Sequence, residues 1–221
     1  MGYYKEPSRD DLRLAKHFIK YLKRVGVESG FWNLEEMGII NFLGKGAERR
    51  VYTIEGVDGF VFKADRTDTD WRENKCRSRL ECYIYMEAKK EGYEEYFAPT
   101  YYLGRIGKVS FSLQNTMCVC EDNAYNKLCE YIDNNIDEFQ YYCCDDDEEQ
   151  WIDYNGAISD MCDYEIICIL MGAPRRGFED FLDDHRVNDL HTGNYGIDSY
   201  GNFVIVDYCG YCTNSETPHK W

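Results

Sequence analysis

Apolar positions recur at helical spacing near the start of the chain and at strand spacing after it. Leu14, Phe18, Leu22 and Val25 share one side of a helix that begins after Ser8. Ser8 and Asp11 have capping-box spacing, and Lys20, Lys23 and Arg24 precede Gly26, as suits a helix C-terminus. The pattern predicts a packing helix on the back of a domain, with His17 beside its apolar face as a structural residue. A short apolar run at 39–43 leads into Gly44-Lys45-Gly46-Ala47-Glu48-Arg49-Arg50-Val51-Tyr52, after which 51–54 and 59–64 read as a hairpin. Residues 71–91 are helical in pattern, with Leu80, Ile84 and Ala88 at steps of four. After Pro99, residues 100–103 and 109–113 read as strands joined across 104–107, completing a small five-stranded antiparallel sheet.

In the second half, 158–171 is apolar enough for one buried helix, and 175–184 carries Phe178, Phe181 and Leu182 on one face of another, started by Pro174. Residues 195–197 and 203–206 read as two short strands around Asp198-Ser199-Tyr200-Gly201-Asn202, a hairpin that returns Asp207 beside Asn194. The expected fold class is α+β.

Composition narrows the partners. With 221 residues, 44% hydrophobic and 16% aromatic, the chain can bury a core as one domain or as two closely packed lobes. A net charge of −16 excludes a general affinity for nucleic-acid backbones and favours basic or metal-bridged partners. Much of that charge lies in 121–153, where twelve acids stand against Lys127 alone. Residues 143–149, Cys-Cys-Asp-Asp-Asp-Glu-Glu, are expected in an exposed loop, because these acids are costly to bury and repel one another. That loop is either plain solvated surface or a dock for a basic protein.

No run of about 18 apolar residues is present, so no membrane span is expected. Residues 1–7 open no apolar run, so no secretory signal is read, and the eleven cysteines are expected to be reduced in a cytoplasmic protein. Cys209 and Cys212 form one Cys-x-x-Cys pair, at most half of a structural zinc site.

The candidate chemistry centres on Asp189, with Asn194 five positions later and Asp207 thirteen beyond that. Phosphoryl transfer from a nucleotide needs a carboxylate near the attacking hydroxyl and oxygen ligands for the magnesium that bridges the phosphates. Asp189 supplies the first, Asn194 and Asp207 the second. Gly44 and Gly46 allow backbone amides to approach phosphate oxygens. Lys63 closes the apolar run Phe60-Val61-Phe62, a position that by itself reads as a solvated strand end.

These residues together resemble the protein-kinase-like superfamily. Asp189-Leu190-His191-Thr192-Gly193-Asn194 is similar to the catalytic loop of the aminoglycoside phosphotransferase, choline kinase and atypical-kinase branch. Val206-Asp207-Tyr208-Cys209-Gly210 resembles Asp-Phe-Gly with one residue inserted, a form associated with short kinase-like proteins of bacteriophages. Gly44, Gly46 and Val51 match the glycine loop, and Arg49 stands where its third glycine would be, with Arg49 or Arg50 either facing phosphates or blocking them. The resemblance implies a compact two-lobed fold: a helical extension over 1–38, a sheet-based N-lobe over 39–114, and a truncated helical C-lobe over 115–221 with the acidic insertion 121–153.

It also implies ATP and Mg2+ as cofactors. Lys63 would position the phosphates, Glu81 would hold Lys63, with Glu73 and Glu87 as competing candidates, and Asp189 would accept or orient the acceptor hydroxyl. Gly44, Gly46 and Val51 would cover the nucleotide, and Asn194 and Asp207 would bind the metal. Residues 114–120 take the place of the adenine-binding hinge. Val187 and Asn188 stand directly before Asp189, where the family often has an Arg, which argues against control by an activation-loop phosphate. Eleven residues follow Gly210, so recognition of the unidentified acceptor is expected from the acidic segment, the first helix or a partner chain. The alternative is a catalytically inactive kinase-like protein that binds a basic partner through its acidic surface.

Overall fold

The computed structural model describes residues 6–46, 49–65, 77–119, 121–146, 149–172, 174–188 and 190–208. The chain forms two compact units that divide after Thr116. Both mix helix and strand.

In the first unit, α1 (Arg9–Val25) and α2 (Val27–Glu36) precede β1 (Ile40–Lys45), β2 (Arg49–Ile54) and β3 (Phe60–Asp65). Next come α3 (Arg77–Glu91), β4 (Thr100–Ile106) and β5 (Val109–Asn115). The five strands form an antiparallel sheet in the order β1-β2-β3-β5-β4.

Helix α1 starts at the capping box: the Asp11 amide donates to Ser8 Oγ at 3.0 Å and the Ser8 amide to Asp11 Oδ2 at 2.8 Å. Its Ala15, Phe18 and Leu22 are buried in one cluster with Phe31 and Leu34 of α2 and Ile40, Tyr52, Ile54, Phe60, Phe62, Phe111 and Leu113 of the sheet. Helices read as an extension over 1–38 therefore share the core of the sheet. Phe31 stacks on Tyr52 at 4.6 Å and Phe62 on Phe111 at 5.6 Å between ring centroids. Sequence pattern did not predict α2; at Gly30 a Cβ would lie 2.5 Å from Leu22 Cδ2, so the residue that obscures the helical pattern is the one that lets α2 approach α1.

Alternation along β3 sends Phe60, Phe62 and Ala64 into that apolar cluster and Lys63 and Asp65 to the other face, against α3. The sheet therefore has one aromatic face and one polar face, both covered. On α3, Ser78, Glu81, Ile84, Tyr85 and Ala88 are buried.

The second unit contains β6 (Cys118–Val119), α4 (Glu121–Asn134), β7 (Cys143–Asp146), β8 (Glu149–Ile152), α5 (Tyr154–Asp160), α6 (Asp163–Met171), α7 (Phe178–Asp184), β9 (Tyr195–Ile197) and β10 (Phe203–Ile205). Three expectations change here. Within 121–153, Ala124, Leu128 and Ile132 of α4 are fully buried at steps of four, and β7 and β8 pair as antiparallel strands where a loop was expected. The single helix over 158–171 is two, interrupted at Met161 and Cys162, whose backbones are extended. The helix assigned to 175–184 begins at Phe178, because Gly177 adopts a left-handed conformation with φ of 88°.

Strands β9 and β10 pair antiparallel as expected, and β6 adds to β9. Among the described residues, no helix is long and apolar enough to cross a membrane.

Candidate functional site

Register places three of the predicted residues in a row. Gly44 of β1 pairs with Val51 of β2, and Val51 pairs with Lys63 of β3. A bulge between Phe42 and Gly44 sets this alignment. Gly46 then closes the β1–β2 turn, its amide donating to the Arg49 carbonyl at 2.9 Å. Among the described residues, an added Cβ at Gly44 or at Gly46 would meet nothing within 4 Å, and neither glycine has a positive φ. Neither packing against the described residues nor a positive φ accounts for glycine at these two positions.

Lys63 is 6% exposed and Glu81 is fully buried. The Lys63 ammonium donates to both Glu81 oxygens, at 3.3 and 3.4 Å. Glu81 is met by a second cation: Arg49 Nη1 lies 2.6 Å from Oε2. This contact is short but off the hydrogen-bond axis, so it acts as a Coulombic pair. The charge of Arg49 is thereby committed to α3, whereas Arg50 pairs at the surface with Glu28 of α2 at 2.6 Å. Glu87, a competing candidate by sequence, takes Lys90 at 2.5 Å instead.

Asp65 extends this polar layer. Its carboxylate accepts from the Ser78 amide at 3.3 Å, the Ser78 hydroxyl at 3.1 Å, the Ser110 amide at 3.2 Å and the Ser110 hydroxyl. Burial pushes the Asp65 carboxyl above the ordinary range, opposed by the Ser110 hydroxyl, the charge of Arg49 and the Ser78 hydroxyl. Sequence reasoning missed Asp65; its signal was an acid at the polar phase of a buried strand, two residues after Lys63.

In the second unit, the Val206 amide donates to the Asn194 carbonyl at 2.8 Å, which sets Asp207 one residue from that contact. Both Asn194 and Asp207 are half-buried. Asp198 builds the intervening turn: its Oδ1 accepts from the Tyr200 amide at 2.8 Å and the Asn202 amide at 2.9 Å, and Oδ2 from Asn202 Nδ2 at 3.1 Å. Asp163, at the first turn of α6, accepts from the Leu190 amide at 3.3 Å and so anchors the segment before Asn194. The Tyr195 hydroxyl beside this region is buried and has no hydrogen-bond partner among the described residues; burial, with the charge of Asp163, raises its pKa far above the ordinary phenol value. Sequence reasoning found neither Asp163 nor the role of Asp198.

Glu73, Asp189 and the Cys209–Cys212 pair lie outside the described residues. Among the described residues, no group of three or more His, Cys, Asp or Glu side chains is arranged to hold a metal ion. A scan against protein-family models and a search of curated proteins return no match.

Proposed function

We propose that the chain is a two-lobed, protein-kinase-like phosphotransferase that uses ATP and magnesium to phosphorylate a hydroxyl acceptor. The observation that carries this reading is the buried Lys63–Glu81 pair, held in register with Gly44 and Val51. A lysine so placed carries a fixed charge that opposes phosphate negative charge, and its carboxylate partner fixes where that charge sits. The open space at Gly44 and Gly46 fits a ligand whose oxygens approach the backbone itself. Asn194 and Asp207 offer oxygen ligands from adjacent positions of one hairpin, a donor set suited to magnesium with water and phosphate completing the shell.

In this reading Lys63 orients the phosphates, Glu81 holds Lys63, and Asp189 accepts the proton of the acceptor hydroxyl. Asn194 and Asp207 would hold the magnesium, which when bound supplies charge neutralisation to the phosphates. Asp163 and Asp198 position the backbone on either side of Asn194 through the hydrogen bonds they accept. The competing reading, an inactive kinase-like binder, draws on the acidic second unit, where Tyr141 and Trp151 are 91% and 52% exposed.

Titration calorimetry with ATP, with and without magnesium, tests the proposal. Magnesium-dependent binding together with slow release of inorganic phosphate, lost in Asp189→Asn, is expected. Binding with no turnover under any condition favours the inactive binder.

A further inference from the structure

We propose that Arg49 is a positioning residue that couples the β1–β2 glycine turn to the Lys63–Glu81 pair, an inference that rests on the phosphotransferase reading. Arg49 belongs to both features. Its carbonyl accepts from the Gly46 amide and closes the turn, and its guanidinium lies 2.6 Å from Glu81. It is 5% exposed, so solvent screens little of this interaction. A ligand that shifts the turn therefore shifts the base of Arg49, and with it the carboxylate that orients Lys63.

The surroundings restrict how Arg49 can respond. It stands directly across β2–β3 from Asp65, whose carboxylate is tied to Ser78 of α3 and Ser110 of β5. Three strands and α3 are thus joined through two acids, Asp65 and Glu81, and two cations, Arg49 and Lys63. Removing a partner from such a buried set leaves an uncompensated charge. Glycine at position 49 could not make this link. Arg49 makes the position of α3 depend on the turn, so the site regulates itself from the nucleotide side.

The test measures hydrogen exchange of the α3 amides without ligand, and ATP–magnesium affinity by calorimetry, in Arg49→Gln, Arg49→Lys and Arg50→Gln. In Arg49→Gln, we expect α3 exchange to rise and ATP–magnesium affinity to fall, each about tenfold, with much of both recovered in Arg49→Lys and neither altered in Arg50→Gln. If Arg49→Gln does not fold, Arg49→Met, which keeps the apolar stem and removes the charge, replaces it with the same expectation. Values within about twofold of wild type for both quantities would overturn the proposal. Gly46→Pro removes the amide that closes the turn. It should speed α3 exchange in the wild type and add nothing in Arg49→Gln, whereas additive effects would contradict the coupling. This exchange cycle needs no nucleotide, so a wild type that fails to bind ATP sinks the phosphotransferase reading while the coupling is still decided.

Discussion

Lys63 and Glu81, 18 positions apart in the chain, meet in the buried polar layer of the first unit with the ammonium 3.3 Å from Oε1. Glu81 also lies against Arg49, so Glu81→Ala would remove the carboxylate that two buried cations share. Chemical denaturation should show a loss of about 3–5 kcal/mol. Glu28→Ala, which breaks the exposed pair to Arg50, should cost less than about 1 kcal/mol.

Gly44→Ala separates ligand binding from folding. The added methyl meets nothing among the described residues, so the free energy of unfolding should stay within about 0.5 kcal/mol of wild type or rise slightly. Affinity for ATP–magnesium should nonetheless fall several-fold, because the methyl occupies the space assigned to phosphate oxygens. Equal loss of stability and affinity would point to a structural glycine.

Asp65 gives the stability a pH dependence of defined sign. Its folded pKa is raised, chiefly by burial, above the unfolded value near 3.8. The native state therefore binds the extra proton in the window that opens at that value, and its contribution to stability is lost as pH rises through the folded pKa. Asp65→Asn removes this titration and also places an amide donor among the Ser78 and Ser110 donors, at about 1–3 kcal/mol. Urea unfolding of both proteins at a series of pH values should show the penalty largest at the acid end and shrinking as pH rises.

Asp198→Ala removes the acceptor that organises the β9–β10 turn. Circular dichroism melts should show about 1–3 kcal/mol of destabilisation. Metal-dependent ATP affinity should drop as well, since this hairpin sets Asp207 beside the backbone of Asn194. Asp198→Asn keeps one acceptor oxygen and should recover part of both.

The elements that follow from neighbouring residues were legible in the sequence. The Ser8–Asp11 capping box, the β9–β10 hairpin and the five strands of the first sheet all rest on local periodicity or turn chemistry. Helix α2 escaped because Gly26, Ser29 and Gly30 dilute its apolar face, although Phe31 and Leu34 are buried. Helix α4 escaped because its acids drew attention from Ala124, Leu128 and Ile132, which carry the buried face. In the candidate site, Lys63 and Glu81 were predictable as a pair through the family resemblance. The Arg49–Glu81 and Asp65–Ser110 contacts were not, since they join residues 32 and 45 positions apart that only the strand register and the seating of α3 bring together.

The most direct test of the phosphotransferase account is the change in melting temperature on adding ATP with magnesium, for wild type and Asp207→Ala in parallel. A ligand that binds the native state stabilises it by about 2.7 kcal/mol at a hundred times its dissociation constant. The account predicts a rise in wild type that chelation of the metal abolishes and that Asp207→Ala lacks. No rise in wild type at millimolar ATP and magnesium, or an equal rise in both proteins, would contradict it.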